Sequence, residues 1–215
     1  MRKQLIFMIF NRNKPRKDGT KMTLTITQGN ITYAETDAIV NAANSALHEG
    51  GGVCGAIFDA VAKVGGRDAY RQLTEACNAI GHCPTGDAVI TPSFGLKAAY
   101  IIHAVGPVWT GRKKDDLVAP LTERELKQVD ELASAYRAVI RVCNENKLRS
   151  VTIPGISTGI FGFPGSVAAV VAKQICENEA GDIDVTLIAY NDDSLIELQQ
   201  APSAEGLALL NGHKF

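Results

Sequence analysis

A chain of 215 residues, 46% hydrophobic and 21% charged, has the size and balance of one globular domain and excludes a disordered chain. Its net charge of −1 excludes nucleic-acid binding through bulk positive charge. The five cysteines, Cys54, Cys77, Cys83, Cys143 and Cys176, are odd in number and lie in apolar surroundings. That usage points to reduced thiols in a cytoplasmic protein rather than a disulfide framework.

The apolar run at the N-terminus stops at Phe10 and is followed by the basic stretch N-R-N-K-P-R-K-D, with no small-residue cleavage site. It is too short for a signal core or a membrane span, so residues 1–21 read as an edge strand or a basic arm. Met22 to Thr27 alternates as a half-buried strand, and Gln28 to Thr32 is a turn that places a polar side chain at its end. Ala38-Ile39-Val40 is a buried strand ending in Asn41 and Asn44, ahead of three glycines, Gly50, Gly51 and Gly52. A helix from Val53 to Lys63, a break at Gly65-Gly66 and a second helix from Arg67 to Asn78 are expected next.

Strands follow at 87–91 and 100–105, then a polar loop from Trp109 to Pro120 whose Arg112, Lys113 and Lys114 read as a solvated basic run. Thr122 and Glu125 have capping-box spacing for a long helix to Asn146, with Leu126, Val129, Leu132, Tyr136, Val139, Ile140 and Cys143 as its apolar stripe. A strand at 150–153 enters a second glycine-rich loop, P-G-I-S-T-G-I-F-G-F-P-G (Pro154 to Gly165). Helix 166–180, strand 184–190 and helix 193–200 complete the pattern, and residues 201–215 read as a loosely packed tail. Strands alternating with helices predict an α/β domain with a largely parallel sheet.

Both glycine loops leave strands and enter helices, which is how backbone N–H groups and a helix dipole build an anion site. Two such loops facing each other can hold a pyrophosphate without a lysine, and no P-loop motif occurs. Gly50, Gly52 and Gly55 satisfy G-x-G-x-x-G. They lie about ten residues beyond their strand, however, where a dinucleotide-binding turn follows its strand directly, so a dehydrogenase is disfavoured. Cys77, His82 and Cys83 lack a fourth ligand and zinc spacing, and no metal or cofactor is expected. His103, inside an apolar strand, reads as a hydrogen-bonded core residue.

G-N-I-T (29–32), D-A-I-V-N-A-A-N (37–44), G-G-G-V-C-G-A-I (50–57), P-T-G-D-A-V-I-T (84–91), I-I-H-A-V-G-P-V-W (101–109) and P-G-I-S-T-G-I-F-G-F-P (154–164) together resemble the macrodomain family, in particular its bacterial and MacroD-type ADP-ribose-processing members. The likeness spans residues 22–200 and implies a three-layer α/β/α sandwich with a mixed, largely parallel sheet and a cleft for ADP-ribose. By position it implies Asn30 and Ile31 at the adenine, and Tyr190 beside the adenine and proximal ribose. It places Gly51, Gly52 and Val53 on one side of the diphosphate and Ser157, Thr158, Gly159, Ile160 and Phe161 on the other, with Asn44 at the distal ribose.

The implied activity is hydrolysis of ADP-ribosyl linkages, in mono-ADP-ribosylated protein or O-acyl-ADP-ribose, with Asn44 as a catalytic candidate that orients the distal ribose for attack by water. The sequence departs from the family pattern at sensitive points. Cys54 stands where MacroD-type hydrolases have an aspartate held to help activate or position the attacking water, so position 54 is a catalytic candidate by place only. Its thiol is either activated by the helix N-terminus or a small group filling the loop. A non-catalytic reader of ADP-ribose is therefore the alternative. Phe58 replaces a frequent histidine, and Glu49 a frequent glycine. Asn30 replaces an aspartate, with an amide oxygen still expected to accept from the adenine amino group. The expected partner is ADP-ribose or an ADP-ribosylated protein, with no membrane and no nucleic acid; the oligomeric state is left open, with a monomer as the default.

Overall fold

The computed structural model describes residues 8–10, 22–113 and 116–215. Among the described residues seven strands form one sheet in the order β1-β2-β7-β6-β3-β5-β4, where β1 is Met8–Phe10, β2 Leu24–Gln28, β3 Ala38–Ala42, β4 Ala88–Pro92, β5 Tyr100–Ala104, β6 Ser150–Pro154 and β7 Asp184–Ala189. The five central strands run parallel, and the two edges, β1 on β2 and β4 on β5, are antiparallel. The sheet is mixed and largely parallel, as expected. Met8–Phe10 supplies an edge strand, whereas the basic stretch Asn11–Asp18 and Lys114 lie outside the described residues.

Side chains alternate across the sheet. In β3, Ala38 and Val40 join an apolar cluster with helices α2 (Glu123–Glu145), α3 (Gly165–Glu179) and α5 (Ala204–Leu210), while Ile39 joins the cluster on the other face with α1 (Val53–Ile80). Helix α4 (Asp192–Gln200) packs on β2, β7 and α3. This is a three-layer α/β/α sandwich. Among the described residues no helix is long and apolar enough to cross a membrane.

The predicted break in α1 is a kink. Gly66 has φ 71° and ψ −166°, a conformation outside the helical region that glycine adopts without a Cβ penalty. The capping box at the start of α2 forms as predicted, with Glu125 N donating to Thr122 Oγ1 and Thr122 N donating to Glu125 Oε2. Two expectations fail. Residues 201–215 are not loosely packed: Ser203 caps α5, and Ala201, Leu209 and Leu210 are buried in the core. Their few apolar side chains are too closely spaced to show a helical period, so only contact with α3 reveals the packing. Arg112 is not a solvated charge either. Its Nε and Nη2 bond the buried Glu125 carboxylate at 2.9 and 2.7 Å. That guanidinium holds the Glu125 carboxyl well below the usual carboxylate range.

The feature that prepares a site lies between β3 and β6. At their amino ends the two strands are pinned: Asp37 Oδ2 accepts from Arg149 N and Ser150 N, and Thr36 and Thr152 share a hydroxyl–hydroxyl bond. Their ladder covers only Ala38↔Val151 and Ile39↔Thr152, whereas β3 and β5 pair along all of Ala38–Ala42. The strands part toward their carboxyl ends. From β3 the chain moves on toward β5, and from β6 toward β7, on opposite sides, so the gap is a topological switch point.

Candidate functional site

A cleft of about 600 Å³ opens in that gap. Asn30, Ile31, Asn44, Gly51, Gly52, Val53, Cys54, Ser157, Thr158, Gly159, Ile160, Phe161 and Tyr190, the residues singled out in the sequence, all line it. They come from segments that follow β2, β3, β6 and β7, at the carboxyl ends where open α/β sheets bind ligands. The two glycine loops do face each other. A Cβ built on Gly51 would lie 2.8 Å from Ile160 Cδ1 on the opposite loop.

The first loop is tied together by Asn44. Its Nδ2 donates to His48 O at 2.7 Å and its Oδ1 accepts from His48 N at 3.2 Å, leaving one N–H and one lone pair spare. The loop ends at Gly52, the N-cap of α1, which offers no capping side chain and no acidic residue in the first turn. The first N–H groups of α1 are therefore orphan donors at the positive end of the helix dipole.

Cys54 sits in that first turn, 4% exposed. Asn41 Nδ2 donates to its Sγ at 3.5 Å, and its thiol donates to His48 O at 3.9 Å. Burial pushes the thiol up from its ordinary value, against the lowering pull of the Gly50 backbone and the Asn41 amide. The helix N-terminus does not generate a thiolate here. Behind it, Asn41 Nδ2 lies 3.1 Å from His103 Nδ1, and Thr91 Oγ1 2.9 Å from His103 Nε2. His103 is fully buried and its pKa is lowered to about 4 by loss of solvation, so it is a neutral core residue as expected.

The second loop is shaped by strain and by neighbours. Ser157 has φ 65°, left-handed for a residue with a Cβ, and its buried Oγ has no hydrogen-bond partner among the described residues. Backbone turns close the loop through Gly162 N to Gly159 O and Phe163 N to Ser157 O, each 2.9 Å. The N–H groups of Gly159, Ile160 and Phe161 have no acceptor among the described residues. Ile156 N donates to the buried Tyr136 hydroxyl at 3.3 Å, and Trp109 N donates to Phe161 O at 2.8 Å. Gly106 allows the segment after β5 to touch the loop, since a Cβ there would lie 2.2 Å from Ser157 Oγ.

At the far end, Ile31, Ala168, Ala169, Ile188, Ala189 and the 90% exposed Tyr190 make an apolar wall and rim. Asn30 stands beside them. Of the lining residues only Glu197 carries a charged side chain, so an anion would be held by backbone dipoles. Sequence reasoning missed Gly106, Tyr136, Asn41 and Glu197. Tyr136 sits in the apolar stripe of α2 and Asn41 beside a strand run; neither spacing signals contact with a loop distant in sequence.

The family model described as Macro domain matches residues 40–172. The chain belongs to the Macro domain family. It is 46% identical over 151 residues to the Macro domain-containing protein lmo2759 of Listeria monocytogenes, covering 70% of this chain and 77% of that one. Among solved structures, the Oceanobacillus iheyensis macrodomain with ADP matches with a TM-score of 0.72 and 32% identity over 92% of this chain and 95% of that one. The Trypanosoma brucei macrodomain in complex with ADP-ribose matches at 0.65 and 29% identity, covering 84% and 69%. The fold is thus shared with solved macrodomains.

Proposed function

We propose that this macrodomain binds ADP-ribose in the cleft and hydrolyses ADP-ribosyl linkages, in mono-ADP-ribosylated protein or O-acyl-ADP-ribose. The observation that carries the reading is the pair of facing loops with unpartnered N–H groups, Gly159 to Phe161 on one side and the first turn of α1 on the other. Such donors suit a diphosphate in a site that has no lysine or arginine in its lining. The relatives whose structures contain ADP and ADP-ribose support the ligand's identity. In this reading Asn30, Ile31 and Tyr190 take the base and proximal ribose, the loops take the diphosphate, and the spare valences of Asn44 take the distal ribose. The attacking water is positioned by the diphosphate and the loops rather than by a side-chain base.

Cys54 favours a second reading, a non-catalytic ADP-ribose reader. A buried protonated thiol already bonded to Asn41 and His48 supplies neither a base nor a ready nucleophile. Calorimetric titration with ADP-ribose beside a de-ADP-ribosylation assay separates the two. Turnover supports the hydrolase; binding with no turnover leaves the reader; no binding removes both. On the hydrolase reading, Cys54→Asp raises turnover by about tenfold or more, because a carboxylate can take up a proton that the thiol cannot. An unchanged rate would remove position 54 from the reacting end of the cleft.

A further inference from the structure

Asn30 lies two residues beyond the end of β2 and caps the short 3-10 turn Ile31–Tyr33. Its Oδ1 accepts from Thr32 N at 3.0 Å and from Thr32 Oγ1 at 2.8 Å. A backbone N–H can only donate, so the atom facing it is the oxygen, and the amide cannot be turned over without losing the cap. Both lone pairs of that oxygen are then in use. What Asn30 has left for a ligand is Nδ2, with two N–H donors and no partner among the described residues, on an exposed residue that lines the cleft. The expectation that its oxygen accepts from an amino group does not survive this geometry.

The consequence concerns which base the apolar end admits. A purine edge carries N7 as acceptor and, at position 6, either an amino donor or a carbonyl acceptor. An asparagine reads adenine by donating to N7 while its oxygen accepts from the 6-amino group, and here that oxygen is occupied. Two N–H donors instead match the paired acceptors N7 and O6 of a 6-oxopurine. We propose that Asn30 makes the base end of the cleft a donor site, so that the protein takes nucleoside-diphosphate-riboses with a 6-oxopurine at least as readily as ADP-ribose. This rests on the reading of the cleft as a nucleotide-sugar site. Glu197 needs a control, since its carboxylate also lines the cleft, against Gly165, and is an acceptor.

The test is calorimetric titration of the wild type, Asn30→Asp, Asn30→Ser and Glu197→Gln with ADP-ribose and with its hypoxanthine analogue, inosine diphosphate ribose. The wild type binds the hypoxanthine form as tightly as the adenine form or up to about fivefold more tightly. Asn30→Asp keeps the Thr32 cap and turns the free arm into an acceptor, so the ratio swings by about tenfold toward adenine. Asn30→Ser keeps a cap oxygen and loses the arm, so the ratio falls to near one. Glu197→Gln leaves the ratio where it was. A wild-type preference for adenine beyond the error of the titration, about twofold or more, overturns the proposal while leaving the cleft's function standing. So does a ratio that Asn30→Asp does not move, or one that Glu197→Gln moves instead. Binding of neither ligand overturns the reading of the cleft, and the proposal with it.

Discussion

The first glycine loop, between Asn44 and Gly52, is braced from below and within, and the second, from Pro154 to Gly165, from outside. Asn44 closes on His48, Cys54 hangs from the His48 carbonyl, and Asn41 links that thiol to a buried histidine. The second loop leans on residues far away in the chain: the Tyr136 hydroxyl, the open face of Gly106 and the Trp109 amide. Trp109 in turn packs edge-on against Phe163 and donates to Arg112 O, and Arg112 is held by Glu125 at the start of α2. One loop thus has a titratable support with no charge to spare, and the other a steric and hydroxyl support, backed by the Arg112–Glu125 ion pair, that acid does not touch until the carboxylate range is reached. Loops that hold the same ligand by different supports should fail under different stresses.

The largest expected failure is on the first side. His103, with its pKa lowered to about 4 by burial, takes up a proton more readily when unfolded, where its ordinary value is about 6.5. A depressed folded-state value means that stability is complete above the unfolded pKa and is lost as pH falls toward the folded one. Between pH 6.5 and 5, where carboxylates stay ionised, the protein should lose about 1.5 kcal/mol. Urea unfolding at the two pH values measures the loss. His103→Gln, less stable at pH 7, should flatten that dependence; an equally steep profile would assign the loss to another group.

Gly106→Ala attacks the second side without touching a titratable group. The added methyl would stand 2.2 Å from Ser157 Oγ and 2.6 Å from Ile156 Cγ2, neither at the end of a long flexible chain. The loop must shift, and ADP-ribose affinity should fall by about tenfold, the equivalent of about 1.4 kcal/mol, within the usual overpacking range. Calorimetry reads the affinity. The acid profile of urea unfolding should stay that of the wild type.

The contrast also explains what could be read in the chain beforehand. The loops themselves were visible because glycines, asparagines and apolar strand runs are local signals, and so was the capping box at Thr122 and Glu125. What holds the loops was not. Tyr136 is one more apolar position in a helical stripe until its hydroxyl is seen to meet Ile156, and Arg112 is one more loop cation until Glu125 is seen beneath it. The orientation of the Asn30 amide likewise depends on where Thr32 N points, which no composition or spacing carries. The parting of β3 and β6 is equally silent, since both strands read as ordinary apolar runs and only their register shows where pairing stops.

Tyr136→Phe is the finest cut between the two sides. The hydroxyl is fully buried, and burial drives its pKa far above the ordinary phenol value, so it stays protonated throughout the working range. Removing one oxygen preserves the ring and its packing in α2 but leaves the buried Ile156 N–H with no acceptor. That should destabilise the protein by about 1 kcal/mol, and more if no water reaches the amide. Because Ile156 leads directly into the strained Ser157, ADP-ribose affinity should also fall, by about two- to threefold, through looser placement of the Gly159 to Phe161 donors. The acid dependence should not change, since neither Asn41 nor His103 touches this hydroxyl. A Tyr136→Phe protein that loses stability but binds as before would show that the hydroxyl supports the core and not the loop. One that becomes more acid-sensitive would show that the two braces are coupled through β3 and β6 after all.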